Sequence, residues 1–324
     1  MSNWWILSHG DGDGIASAAL SLMHIGNVKG IYITHPAGLK DDLAVVRSGD
    51  SAIITDIALS SGITRDLFFE LERILKGGGE LIYIDHHPLP PGITKQDVPG
   101  MFVHDECCSA SELTYRFFKK DLDMRSFESR TFEKIALYGA ISDYLDNTDW
   151  ASNALSDWDK RYIYYEAGIL SQGLEGMRRQ YDLKREIVKA IASGEDPSSI
   201  SELVVNSIFM SRNEKVLIKF VFENVKTVGR IAYVEEPPGS VPRAATYAMA
   251  LSGTLIGIAI EKKKDIAVMS VRARDPSLKI NEIMMRLAPE FGGNAGGHPT
   301  ACGARVPLSN LKRFLISLSE AIDS

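Results

Sequence analysis

Cysteine is scarce and poorly placed for cross-linking. Cys107 and Cys108 are adjacent and Cys302 stands alone. An odd set of this kind makes a poor disulfide framework, and the paired-thiolate spacing of a structural zinc site is missing. Reduced thiols, and with them a cytoplasmic location, are the expectation. Long apolar runs are also lacking: the hydrophobic stretches are too short or too interrupted to cross a bilayer. No basic segment leads into an apolar one at the start, where Trp4-Trp5-Ile6-Leu7 already reads as a strand. Neither membrane anchorage nor a secretory leader is expected. Positive charge is in deficit, with 36 Lys and Arg against 42 Asp and Glu and a net charge of -6. That argues against a broad grip on duplex nucleic acid, which usually goes with a basic excess. It leaves room for a small anion held by a few basic side chains and metals. Internal repeats and low-complexity tracts are absent as well.

A chain of 324 residues is long for one hydrophobic core, and two domains are expected. The first half alternates short apolar runs with amphipathic stretches, the pattern of a mostly parallel α/β sheet with flanking helices. Strands are predicted at Trp4–Ser8, Gly30–Thr34, Ser51–Thr55 and Glu80–Ile84. Helices are predicted at Gly14–Met23, Ile63–Leu75, Ser109–Phe118 and Thr131–Leu145, the last containing Asp143. Asp157–Ala192 reads as outer helices, and Ser193–Ser199 has the composition of a boundary. The expected division is 1–192, a linker at 193–200 leading out of those helices, and a smaller α/β domain at 201–324. In that domain Val216–Phe222, Arg230–Glu235, Leu255–Glu261, Ile266–Arg272 and Ala301–Val306 read as strands. Lys262–Asp265 forms a hairpin turn, Lys279–Ala288 and Leu308–Ile322 are helices, and Phe291–His298 is a glycine-rich loop.

Chemistry gathers where strands end. His9-Gly10-Asp11-Gly12-Asp13-Gly14 follows the first, Asp56 follows Ala52-Ile53-Ile54-Thr55, and Asp85-His86-His87 closes Glu80–Ile84. In a parallel sheet, ligands collect at the carboxyl ends of strands. Oxygen and imidazole ligands suit manganese, magnesium or iron, and a single carboxylate such as Asp56 can bridge two cations. Taken alone, the Asp11–Asp13 loop also reads as a turn capping a helix, and Asp56 as a helix N-cap. Adjacent histidines at a strand end are harder to explain by packing. Asp143, in an otherwise apolar helix, either faces solvent or reaches a metal, since burying it unpaired is costly. Asp146 and Asp149 read as surface carboxylates. A second constellation is Gly296-Gly297-His298, with Ala301 and Gly303 beyond it and Arg272 before it. Glycine-rich backbone exposes N–H groups to an anion and His298 adds a donor. Arg272 can hold a phosphate bidentately.

These residues, in this order, resemble the DHH phosphoesterase superfamily, in the branch with a glycine- and histidine-rich C-terminal domain that includes RecJ-like and nanoRNase-like enzymes. Asp11-Gly12-Asp13-Gly14 is similar to its first motif, Asp56 to the second, Asp85-His86-His87 to the naming triplet and Asp143 to the fourth. Gly296-Gly297-His298 and Ser270-Val271-Arg272 are similar to the C-terminal signature. His9 stands two residues before Asp11, the spacing of archaeal members, where many bacterial ones have four. The resemblance implies a site for two divalent ions, manganese with magnesium as the alternative, and a C-terminal substrate-binding domain. His9, Asp11, Asp13, Asp56, His86 and Asp143 are the expected metal ligands. His87 is placed to contact the phosphate, Asp85 to orient a histidine, and Arg272, Gly296, Gly297 and His298 to bind substrate. The expected reaction is removal of mononucleotides from the ends of short single-stranded RNA or DNA. Cyclic dinucleotides and polyphosphate are alternative substrates, a non-catalytic replication scaffold is a reading of another class, and a homodimer is compatible with all of them.

Overall fold

A sheet buried on both faces needs strands that are apolar throughout, and Ser51–Thr55 is buried at all five positions. In the computed structural model, which describes residues 3–60, 62–121 and 126–323, that strand lies at the centre of the first sheet. The sheet comprises β1 (Trp4–His9), β2 (Gly30–Thr34), β3 (Ser51–Thr55), β4 (Leu81–Asp85) and β5 (Met101–His104). Its order is β2-β1-β3-β4-β5 and every pairing is parallel. Alternate side chains feed two cores. Ile6, Ile31, Ile53 and Ile84 join α1 (Gly12–Ile25) on one face. Leu7, Ala52, Ile54 and Tyr83 join the short α2 (Leu39–Asp42) and α3 (Thr64–Lys76) on the other. The first core is thickened by α4 (Ala110–Phe118), α5 (Phe127–Ser142), α6 (Asp149–Ser156), α7 (Lys160–Met177) and α8 (Tyr181–Ala192).

The chain divides into compact units between Met210 and Ser211, inside α9 (Ser201–Asn224). The segment 193–200, read from composition as a linker, packs within the first unit. Asp196 accepts hydrogen bonds from Lys134 Nζ (2.5 Å), Tyr138 Oη (3.0 Å) and Tyr162 Oη (2.5 Å), which tie it to α5 and α7.

The second unit is a six-stranded sheet of order β10-β11-β9-β8-β7-β6. Its strands are β6 (Lys226–Val228), β7 (Ile231–Glu235), β8 (Ile256–Lys263), β9 (Ile266–Ala273), β10 (Asn294–His298) and β11 (Ala301–Pro307). All pairings are antiparallel except β7 with β8. Residues of α11 (Ile280–Glu290) and α12 (Leu311–Asp323) share one core with the sheet, and α10 (Val241–Ser252) shares the other. Among the described residues no helix is long and apolar enough to cross a membrane.

Three expectations are corrected. Val216–Phe222 is the last part of α9, not a strand. Apolar residues surround the helix there and mask its period, although only Leu217 and Val221, four apart, are buried while Val216 and Phe222 are exposed. Asn294–His298 is an edge strand and not a loop, paired with β11 on one side, and its Gly297 carbonyl accepts a hydrogen bond from Asn281 Nδ2. Asp143 caps the C-terminus of α5 rather than lying inside it.

Candidate metal centre

The strand order reverses between β1 and β3, because the chain runs outward from β1 to β2 and then crosses back to β3. Open parallel sheets bind ligands beyond the carboxyl ends at such a switch point. His9 ends β1 and Asp56 follows β3 at this place. One strand further on, β4 delivers Asp85, His86 and His87.

Eight of the residues named from the sequence come together here. His9 Nδ1 is 2.6 Å from Asp11 Oδ2 and 3.8 Å from Asp56 Oδ2. His86 Nε2 is 3.4 Å from Asp56 Oδ1, 3.3 Å from Asp143 Oδ2 and 4.0 Å from Asp13 Oδ2. His87 Nδ1 donates to Asp85 Oδ1 at 2.8 Å. Three sets can each offer ligand atoms lying within 4.8 Å of one another: His9, Asp11 and Asp56; Asp56, His86 and His87; Asp13, His86 and Asp143. Asp56 and His86 each belong to two of them. The Asp56 backbone takes φ 58°, a left-handed conformation that Asp tolerates better than most residues.

Crowded carboxylates disturb one another's ionisation. Burial, then Asp11, Asp13, Asp143 and Asp85, push the Asp56 carboxyl well above its ordinary range. Burial and then Asp143 raise Asp13 to about 6 against the pull of His86. Burial also opposes the charge on Asp11, but His9 beside it and the Gly14 N–H hold that carboxyl below the usual range. Burial works against the imidazolium of His86, yet Asp143 and Asp13 raise it to about 9. With the protein's own groups alone, the cluster thus recruits protons as its positive charge.

The second unit gathers the other named residues. Arg272 on β9 pairs with Ala301 on β11, and Ala301 with His298 on β10. Arg272, Gly296, Gly297 and His298 line one groove of about 490 Å³, together with Ser270 and Gly303. Arg272 Nη1 is 3.3 Å from Ser270 Oγ. At Gly297 φ is +139°, and a Cβ would lie 2.5 Å from the Ala301 carbonyl oxygen, so only glycine fits.

The family model for the DHH family, N-terminal domain, matches residues 3–141, and that for the DHHA1 domain matches residues 213–324. The chain belongs to the DHH phosphoesterase superfamily. RecJ from Thermus thermophilus, solved in complex with Mn2+, superposes with a TM-score of 0.68 at 14% identity over 99% of this chain. This DHH chain spans 52% of that RecJ chain, about half its length. The DHH domain of a member of a family of ribosomal proteins gives a TM-score of 0.72 at 15% identity, covering 99% of this chain and 86% of that one. The pGpG-specific phosphodiesterase PggH from Vibrio cholerae gives 0.59 at 16% identity and covers 99% of both chains. None of the curated proteins matches. At such identities the likeness is one of fold.

The DHH cluster fits divalent cations. Asp56 Oδ2 and Asp85 Oδ2 are buried without a hydrogen-bond partner among the described residues, a costly state for polar atoms, and His86 Nε2, which also makes no hydrogen bond, sits among the carboxylates of Asp56 and Asp143. A cation of the hard or borderline kind would satisfy them.

Several supports were invisible in the sequence. The first N–H groups of α4, Ala110 and Ser111, donate to the two Asp13 oxygens at 2.7 and 2.9 Å. The Tyr83 hydroxyl donates to the Ile57 carbonyl at 2.5 Å, fixing the turn that carries Asp56. His104 Nε2 donates to the His87 carbonyl at 2.7 Å. Lys184 Nζ donates to the Gly10 carbonyl at 2.5 Å, and burial lowers its pKa while Asp11 raises it. Each supporter sits in a segment whose pattern is that of ordinary core or helix surface. Only the serine-rich start of α4, a helix N-terminus, carries a local signal.

Proposed function

We propose that this chain is a two-metal phosphodiester hydrolase acting on the ends of short single-stranded RNA or DNA and releasing mononucleotides. The observation that carries the reading is the overlap of three ligand sets through Asp56 and His86, with buried orphan atoms on both residues. In this reading His9, Asp11 and Asp56 hold one divalent ion, and Asp13, Asp56, His86 and Asp143 the other, manganese being the preferred metal and magnesium the alternative. Ions bound there supply Lewis acidity toward a phosphate oxygen and lower the pKa of water to near neutrality.

The protein's own groups do the rest. Asp56 reaches both ligand sets. Asp85 fixes the His87 ring through Nδ1, directing the other ring edge to a phosphate oxygen. Arg272 and His298, beside an open glycine edge, bind a substrate phosphate. PggH, matched over 99% of both chains, is named as a pGpG-specific phosphodiesterase, which supports a small phosphodiester as substrate. Three free thiols suit a reducing, cytoplasmic compartment.

The test is product length from end-labelled RNA and DNA of two to seven nucleotides with manganese or magnesium, beside cyclic di-AMP and polyphosphate. Mononucleotide release from the short linear strands by the wild type, and none by Asp56→Ala, is the expected result. Release of phosphate from polyphosphate alone, or opening of the cyclic substrate alone, would reassign the substrate. Inertness toward every substrate would favour the scaffold reading.

A further inference from the structure

A buried lysine bonded to a neutral group needs a reason, since desolvating an ammonium is costly. Lys184 on α8 is 6% exposed, and its hydrogen-bond partner is the main-chain carbonyl of Gly10. Gly10 lies between His9 and Asp11 in the turn from β1 to α1. Position 10 is closed in from two sides: a Cβ there would lie 2.8 Å from Ile33 Cγ2 and 3.1 Å from Lys184 Nζ. The glycine therefore makes room for the amine, and the amine sets the direction of the peptide that joins two of the ligands. The site gathers Asp11, Asp13, Asp56, Asp85 and Asp143, whose mutual repulsion would spread an untethered turn. A fixed positive charge behind that turn opposes the spreading before any cation arrives.

We propose that Lys184 is a positioning residue of the metal centre, clamping the Gly10 peptide so that His9 and Asp11 face the ion position completed by Asp56. The inference rests on the metal-centre reading. It assigns a role to an outer helix that carries no ligand.

The experiment compares wild type with Lys184→Met, Lys184→Gln and Lys184→Arg in two measurements that need no turnover. Manganese binding is counted by electron paramagnetic resonance of the free ion. Hydrogen exchange of the Gly10–Gly14 amides, and thermal unfolding, are followed in chelator. The expected result is that Lys184→Met weakens one binding step by roughly 10- to 100-fold, the usual effect of losing a group that orients ligands. The turn should exchange faster in chelator, with at most a modest drop in the unfolding midpoint, so that the loosening is local and not global. Lys184→Arg should restore binding to within about threefold of wild type, and Lys184→Gln, which keeps a donor without the charge, should fall between. Should Lys184→Met not fold, Lys184→Gln against Lys184→Arg decides. Wild-type binding of both ions by the neutral variants would overturn this inference and leave the metal centre standing. Failure of the wild type to bind manganese would overturn the metal centre and this inference together.

Discussion

Asp13 holds the strongest conflict at the scale of single residues. Two N–H groups at the start of α4 favour its charge, yet burial and Asp143 raise it to about 6. A carboxyl raised in the folded state contributes stability that is fully present below its unfolded value near 4 and is lost as pH rises through 6. In chelator, wild type should therefore lose on the order of 2–3 kcal/mol relative to Asp13→Asn between pH 4 and pH 7, measured by urea unfolding. A difference that stays flat over this range would show that Asp13 does not titrate there. The residues that cluster at the strand ends were legible in the sequence because acids and imidazoles there have few structural uses. Lys184, Tyr83 and His104 were not, because one lysine in an amphipathic helix and one aromatic in a strand look like surface and core. Their roles depend on partners 174, 26 and 17 residues away.

Elements bring these residues together by close approach. Gly139 on α5 faces the start of α4, and a Cβ on it would lie 2.3 Å from Ser111 Oγ and 2.6 Å from Asp13 Oδ1. Gly139→Ala should destabilise the protein by about 1–3 kcal/mol through overpacking, although alanine is the better helix former by about 1 kcal/mol. Manganese affinity should fall with it. A variant more stable than wild type in urea would mean that α4 and α5 separate freely. Four of the five parallel strands and their order of appearance were readable from apolar runs and glycine stops, but the short β5 (Met101–His104) was not. Helix ends were less readable: Asp143 continues an apolar run, and the stop shows only in the backbone, at Asp143 φ −98° and then Tyr144 φ 60°. The helix at Val216–Phe222 was hidden because apolar side chains on all sides leave no single period to read. Asn294–His298 escaped because small and polar residues resemble a loop until β11 pairs with them.

On the scale of the whole molecule, the chain builds two sheets with separate cores, and the named residues divide between them. All candidate metal ligands lie in the first unit, and Arg272 and His298 lie in the second. His298→Ala should accordingly raise KM about tenfold for a short oligonucleotide while metal content, measured by mass spectrometry, stays at the wild-type value. Loss of metal in that variant would break this division of labour. Length and the change in texture along the chain pointed to two domains, and the chain divides into two compact units between Met210 and Ser211. Composition pointed to Ser193–Ser199 as the boundary, where Asp196 is held by three side chains of the first unit.

The central claim is a paired-cation centre bridged by Asp56. Anomalous diffraction at the manganese edge from crystals soaked in MnCl2 tests it most directly. The expected result is two peaks about 3.5–4 Å apart, both within bonding distance of the Asp56 carboxylate, one beside His9 and Asp11 and the other beside His86 and Asp143. A single peak, or none among these side chains, would contradict the account.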